Sequence, residues 1–549
     1  MSASSKKKLR KEQNAAAMTE KQLQAEREAK KLKNYTTTFV VAIILVVAIM
    51  IGVAVRIPIT GAIDRNTAAI TVGSHELSTT DFSYYYVDAI NKYYNEAYSY
   101  YGSYVDFFLG FDLSKPLNAQ AYGTGGTWAD HFMKDAKDNA KNVLSLYEAA
   151  VAAGHELTEE DKESLESALD STELMAAYYG YSSVDAYLRA TYGAGANMKT
   201  YKNYYTINTL ASSYYDAYAE DLKETYTDED LRAYESDNYH AYSSFNFAIY
   251  TVKVSDYLTG GTKDSSGNTT YTDAEKAAAA KDAAEVAKTL SSGKYADLNA
   301  FNKAIKGLDL NKNKTVTATE YTNTLYDDIS NEEIQEWLAK RLRDPKDVKS
   351  FKITSTSTDS NGKETTEVTS YQIVYFISRD ENKTNLVDVM HILVQFEGGT
   401  TDSSGKKTYS DAEKAKAKEE AEKLLKQWQE GEKADKDAFA ELAKKESDDT
   451  GSKENGGLYE DVYPHQMVTA FNDWCFDAAR KAGDTGIVET EYGYHVMYFV
   501  ETKEETYRDY MISYAKLNEE MTAWHDGLKE KTVITEIDLS RMEWDKTMK

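Results

Sequence analysis

Residues 387–396 read Val-Asp-Val-Met-His-Ile-Leu-Val-Gln-Phe, and residues 494–501 read Tyr-His-Val-Met-Tyr-Phe-Val-Glu. Both alternate as strands do, so each is predicted to lie in a sheet. Between them the period changes: residues 411–429 form an amphipathic helix, 437–445 a short second helix, and 468–482 contain another. Helices packed on one small sheet make an α+β domain. Each of the two strands carries one imidazole on an otherwise apolar run, His391 and His495. A lone strand histidine is most often a satisfied core residue, but two on strands of one sheet are placed to lie side by side.

The chain contains a relative of this stretch. Residues 260–277, GGTKDSSGNTTYTDAEKA, match 398–415, GGTTDSSGKKTYSDAEKA, at fourteen of eighteen positions with a constant offset of 138. The register holds into Ala296–Phe301 and Ala434–Phe439, and Tyr371–Phe376 matches Tyr494–Phe499 after a deletion. Two copies of one domain explain this. The first copy has Gln372 where the second has His495, no His on its opening strand 245–254, and no Ser-Asp-Asp or Gly-Gly-Leu between 306 and 340. It is expected to be a scaffold without the site, kept for binding or spacing.

Upstream, 66–72 reads as a strand, and Thr79-Thr80-Asp81 opens a tyrosine-crowded helix over 82–101. Further helices are predicted over 129–153, 159–169, 172–179, 183–191 and 197–223. The 44 tyrosines suit either ordinary amphipathic helix faces or surfaces that touch varied chains, since the ring is apolar and the hydroxyl stays wet. A last helix over 505–529 is expected to dock on the N-terminal helices.

Charge divides the chain. Residues 1–34 hold ten Lys or Arg and four Glu, whereas the whole carries a net charge of −26. Residues 39–55, FVVAIILVVAIMIGVAV, have no charge and, with Thr36–Thr38, match the roughly 30 Å of bilayer hydrocarbon. The basic flank keeps the N-terminus cytoplasmic and sends the rest outside, through an uncleaved signal anchor. The acidity of the exported part argues against nucleic acid, which needs a basic face. One cysteine, Cys475, excludes an internal disulfide framework and a thiolate zinc cluster. The eight histidines form no metal-binding pair. No metal and no cofactor are expected.

The run His391–Val394, Asp437–Ala443, Ser447-Asp448-Asp449, Gly456-Gly457-Leu458, Met467, Phe471 and Gly493-Tyr494-His495 resembles the parvulin family of peptidyl-prolyl cis/trans isomerases over about 387–501. The anchor, the helical segment and the stretch 72–86 extend the similarity to extracytoplasmic foldases of the PrsA/SurA type. The resemblance implies catalytic positions at His391, Asp449, Thr490 and His495, and an apolar proline pocket walled by Leu458, Met467 and Phe471 with Phe476 behind. Cys475 beside the wall is read as structural. The family's Gly-Asp-Leu-Gly turn stands here as Gly456-Gly457-Leu458-Tyr459, with one extra residue before Met467, so the pocket rim is expected to be reshaped.

The expected organisation is a cytoplasmic basic segment (1–34), a transmembrane signal anchor (35–56), a helical chaperone-like domain (57–238), a degenerate parvulin-like domain (239–385), a parvulin isomerase domain (386–503) and a C-terminal helix packing on the N-terminal domain (504–549). The expected function is a membrane-anchored isomerase and chaperone. Its partners would be unfolded or partly folded exported polypeptides with X-Pro bonds, and the cytoplasmic membrane; a homodimer stays open. A catalytically silent holdase and a surface scaffold are the alternatives.

Overall fold

A computed structural model describes residues 57–543, apart from 238, 264, 312, 313, 359–361 and 404. The expected basic segment 1–34 and anchor 35–56 lie outside the described residues; among those described, no helix is long and apolar enough to cross a membrane. The described residues fall into two compact units, 57–226 with 515–543, and 227–514.

The first unit opens with α1 (Ile57–Asp64) and a hairpin of β1 (Ala68–Val72) and β2 (His75–Ser78). Helices α2 (Thr79–Tyr101), α3 (Trp128–Ala153), α4 (Glu159–Tyr178), α5 (Val184–Tyr192) and α6 (Met198–Glu224) follow. Ser78, not the Thr79–Asp81 cluster, caps α2: its hydroxyl accepts from Asp81 N–H while the Asp81 carboxylate accepts from Ser78 N–H. The two helices expected over 159–169 and 172–179 are one. Thr172 donates its hydroxyl back to Ala168 O inside the helix, so it caps nothing. The tyrosines divide by position. Tyr84, Tyr85, Tyr86, Tyr187 and Tyr201 are buried in the core, while Tyr100 and Tyr104 stand exposed beyond it.

The second unit begins with α7 (Asp228–Asp237) and contains two four-stranded sheets, each accompanied by a two-stranded hairpin. The first is built from β3 (Ser244–Lys253), the small hairpin β4 (Thr262–Lys263) and β5 (Thr269–Thr270), α8 (Asp273–Ser292), α9 (Leu298–Lys306), β6 (Thr319–Leu325), α10 (Glu332–Ala339), β7 (Val348–Thr358) and β8 (Glu364–Asp380). The second is built from β9 (Asn385–Gln395), the hairpin β10 (Thr400–Thr401) and β11 (Lys407–Thr408), α11 (Asp411–Gln429), α12 (Lys436–Glu446), β12 (Leu458–Val462), α13 (Thr469–Cys475), β13 (Thr485–Glu489) and β14 (Gly493–Thr506). The strand orders, β6-β3-β8-β7 and β12-β9-β14-β13, are the same topology twice. The repeated hairpins are pinned alike, Gly261 and Gly399 N–H donating to Glu275 and Glu413 at the helix starts.

In each sheet one face meets the two long-loop helices and the other meets the short helix, giving two small cores per sheet. Helix α13, inside the stretch 468–482 expected to contain a helix, ends at Cys475. Arg480 folds back so that its Nε–H donates to Trp474 O at 3.1 Å and its guanidinium lies 4.0 Å from the Trp474 ring centroid. Arg343 does the same to Trp337 in the first sheet, at 3.1 Å and 4.0 Å.

Helix α14 (Tyr507–Lys531) and β15 (Ile534–Glu536) end the chain. Its first residues belong to the second unit, where buried Arg508 donates to the carbonyls of Tyr239 and Tyr242. The later residues belong to the helical unit. There Trp524 stacks on Tyr218 at 4.1 Å and His525 meets Asn142 O. Sequence reasoning missed β15, which pairs antiparallel with β1 and completes a three-stranded sheet.

Candidate active site

Strands β9 and β14 are adjacent, with Leu393 opposite His495 and His391 opposite Met497. Both imidazoles therefore project from the same face, toward α13. Their Nδ1 atoms are 2.9 Å apart and their ring centroids 5.1 Å. Phe471, on α13, stands edge-on to both rings, at 5.5 Å from His391 and 5.3 Å from His495.

A hydrogen-bonded chain runs through the pair. Thr490 Oγ1 lies 2.8 Å from His495 Nε2, and His391 Nε2 lies 2.9 Å from Asp449 Oδ2. That carboxylate oxygen also accepts from Ser452 Oγ at 2.6 Å and Tyr459 OH at 2.9 Å. Burial pushes the Asp449 carboxyl up, but the His391 hydrogen bond and charge, with Ser452 and Tyr459, outweigh it and hold it well below the usual carboxylate range. An ionised Asp449 only accepts, so His391 Nε2 carries hydrogen. Burial, then the neighbouring His391, push His495 well below its ordinary value against a smaller opposing pull from Asp449. One assignment carries a hydrogen bond at every link of the chain: Thr490 O–H donates to His495 Nε2, His495 Nδ1–H to His391 Nδ1, and His391 Nε2–H to Asp449.

The loop holding Asp449 is tied to β9. Asp448 N–H donates to Leu393 O at 2.8 Å, and the Ser447 hydroxyl accepts from the N–H groups of Leu393 and Asp449. Gly457, at φ +78°, passes so close to β9 that a Cβ there would lie 2.2 Å from His391 O. Only glycine fits that crossing, and the sequence supplies it.

Of the expected pocket walls, Met467, Phe471 and Phe476 lie in one cluster with Val389, Met497 and Phe499, on the histidine face. Leu458 does not. It sits opposite Met390 and packs with the helix-side core, and Tyr459, opposite Val389, faces the site instead. The reason is the strand's period of two: the residue after Leu458 must point the other way. The expected extra residue is a β-bulge between Tyr459 and Val462. Asp461 takes φ +55° there, with its N–H on Asp388 and its carboxylate on Lys503. Sequence reasoning named Tyr459 only as a departure and missed Ser452; a serine three residues after Asp449 was the available signal. Cys475 is buried and its thiol pushed up to about 12 by burial, which fits a structural side chain.

The first sheet is the internal comparison. Thr251 pairs with Gln372 as Leu393 pairs with His495, so Gln372 stands at the His495 place and Ile249 at the His391 place. Ile249 packs against the apolar cluster that includes Phe247, Val374 and Trp337, where the second sheet has its polar network.

Two histidines bridged at Nδ1 on a four-stranded antiparallel sheet, with an acid and a threonine at the ends, form the candidate site that the parvulin resemblance implies. Residues 371–503 match the family model of the PPIC-type PPIASE domain. Foldase protein PrsA 2 of Listeria monocytogenes serovar 1/2a is 38% identical over 86 residues, 16% of this chain and 26% of that protein. Foldase protein PrsA 1 of Listeria innocua serovar 6a is 37% identical over 67 residues, 12% and 23%. The chain thus spans about a quarter of the length of these curated relatives. A solved peptidylprolyl isomerase (PrsA) of Bacillus anthracis shares 22% identity over 27% of this chain and 59% of that one, with a TM-score of 0.17.

Proposed function

We propose that the chain is a membrane-anchored peptidyl-prolyl cis/trans isomerase and chaperone for exported polypeptides. The observation that carries the catalytic part is the continuous line Thr490–His495–His391–Asp449 with Phe471 edge-on to both rings. In this reading residues 386–503 catalyse, 239–385 are a parvulin-like copy without the site, and 57–238 with 504–549 hold clients. Residues 35–56 span the membrane with 1–34 in the cytoplasm, and the catalytic and helical parts lie outside the cell membrane.

Turning an X-Pro bond means crossing a barrier of about 18–20 kcal/mol set by amide resonance. No bond to carbon breaks, so the protein needs a grip on the ring and a field that favours the twisted amide. Met467, Phe471 and Phe476 supply the apolar grip. The network fixes both imidazole tautomers, so its dipoles point one way and need no reorganisation when the carbonyl turns. Asp449 and Thr490 act as its two ends, and Tyr459 holds the acid from the rim.

The test is a proline-limited refolding assay with the full-length chain. Wild type accelerates refolding, and His495→Ala loses most of that acceleration while keeping its ability to suppress aggregation. Equal rates for the two proteins would refute catalysis at this site.

A further inference from the structure

We infer that Tyr459 is a gate on the proline socket: its ring covers the apolar walls, its hydroxyl is latched to Asp449, and a substrate enters only when the ring swings out. This rests on the reading of residues 386–503 as the isomerase. It adds the residue that decides how readily an X-Pro segment is admitted.

The walls of the socket are dry. Met467 is 7% exposed, Phe471 3%, His391 3% and His495 5%. A socket standing open for a pyrrolidine ring would leave the surfaces that grip the ring in contact with water, so the chain's own side chains cover them in this conformation. Tyr459 is placed to do so. It is half-buried and packs against the cluster that holds Met467 and Phe471, and its ring centroid lies 5.2 Å from that of His391, tilted by 36°. Its hydroxyl is one of three donors to Asp449 Oδ2, at 2.9 Å, beside Ser452 Oγ at 2.6 Å and His391 Nε2 at 2.9 Å. When Tyr459 leaves, the acid keeps the other two, so the gate opens without undoing the line of hydrogen bonds through the histidines.

The backbone gives the ring room to move. Strand β12 is the edge of its sheet, and the bulge between Tyr459 and Val462 follows at once, so Tyr459 has a paired strand on one side only. The first sheet shows the same position without the latch. Tyr321 stands opposite Phe247 as Tyr459 stands opposite Val389. Two residues on, Asn323 takes φ +49° with its N–H on Asn246, as Asp461 takes φ +55° with its N–H on Asp388. The first sheet has no Ser-Asp-Asp loop to hold the hydroxyl, and there Tyr321 lies flat on Phe247, ring centroids 4.8 Å and planes 5° apart, and is 39% exposed. The same kinked edge therefore carries a tyrosine in an outer position once the acid is gone.

The experiment measures kcat and KM of the full-length chain on a short chromogenic X-Pro peptide, for wild type, Tyr459→Phe, Tyr459→Leu and His495→Ala. A gate that is mostly closed lowers apparent affinity by the fraction of molecules that are open, and saturating substrate removes the effect. Tyr459→Phe keeps the ring and its packing but cuts the latch, so KM falls about tenfold, the size of a hydrogen bond to a charged acceptor. Tyr459→Leu removes latch and ring and lowers KM at least as far. In both variants kcat changes by less than about twofold. A residue that merely buttresses the site would move the other way, with KM rising or kcat falling on substitution. An unchanged or higher KM in Tyr459→Phe and Tyr459→Leu, with wild type still faster than His495→Ala, overturns the gate and leaves the isomerase standing. Rates no greater than that of His495→Ala in wild type and both variants overturn the isomerase reading, and the gate with it.

Discussion

The Nδ1 atoms of His391 and His495 face each other at 2.9 Å, so one hydrogen lies between them and each ring fixes the protonation pattern of the other. The pattern is anchored outside the pair, at Asp449, which accepts from His391 at 2.9 Å. Asp449→Asn keeps the shape but removes the charge and supplies a competing donor. Refolding catalysis is expected to drop by at least about tenfold, roughly 1.4 kcal/mol of barrier. The same substitution moves the imidazole nitrogen resonances of both histidines. Unaltered catalysis with shifted resonances would separate the network from the chemistry.

At the other end, Thr490→Val removes the hydroxyl 2.8 Å from His495 Nε2 and puts a methyl against a buried ring nitrogen. The cost is that of a buried unsatisfied acceptor, about 1–3 kcal/mol. Urea unfolding read in the Trp474 and Trp428 domain checks it, and Thr490→Ser should restore most of the loss. Equal stability of the valine and serine forms would show that the hydroxyl carries no weight.

The arginine latch occurs in both sheets but borders the site in only one. Arg480→Met frees the end of α13, which carries Phe471, so it should lower stability and also lower kcat/KM for proline isomerisation. Arg343→Met breaks the corresponding contact on α10 and should lower the stability of its own sheet with catalysis untouched. A loss of catalysis in both would show that the latch acts through global stability instead of through Phe471.

Acid should act oppositely on the two units. His495 is held neutral by burial, and in the unfolded chain it protonates near pH 6.5. Below that pH the unfolded state binds the extra proton, so the contribution of His495 to stability falls as pH drops. The stability from Asp449, whose folded carboxyl is held low, is lost later, as pH falls below about 3.9. Asp88 in the helical unit is pushed up to about 6 by burial, against the Tyr204 hydrogen bond. There the folded state takes the proton first, so stability rises as pH falls from 7 toward 4. Hydrogen exchange corrected for intrinsic rate should therefore slow around residue 88 and quicken around 495 between pH 7 and pH 5.

The sequence alone was enough to place the strands at 387–396 and 494–501, the helix at 411–429, the duplicated hairpins and the two histidines. These follow from local periodicity and from register, which neighbouring residues impose on each other. It also marked Tyr459 as a departure, but could not say which face it would occupy. Only the folded sheet decides that, because a strand's faces alternate and pairing with β9 at Met390 and Val389 fixes which residue turns inward. In the same way Ile249 becomes the counterpart of His391 only through the strand pairing, since the offset of 138 points to Lys253. The β15–β1 pairing joins groups that no local pattern links. Long-range contacts of this kind are set by which surfaces the whole chain buries together, and that choice is made in three dimensions.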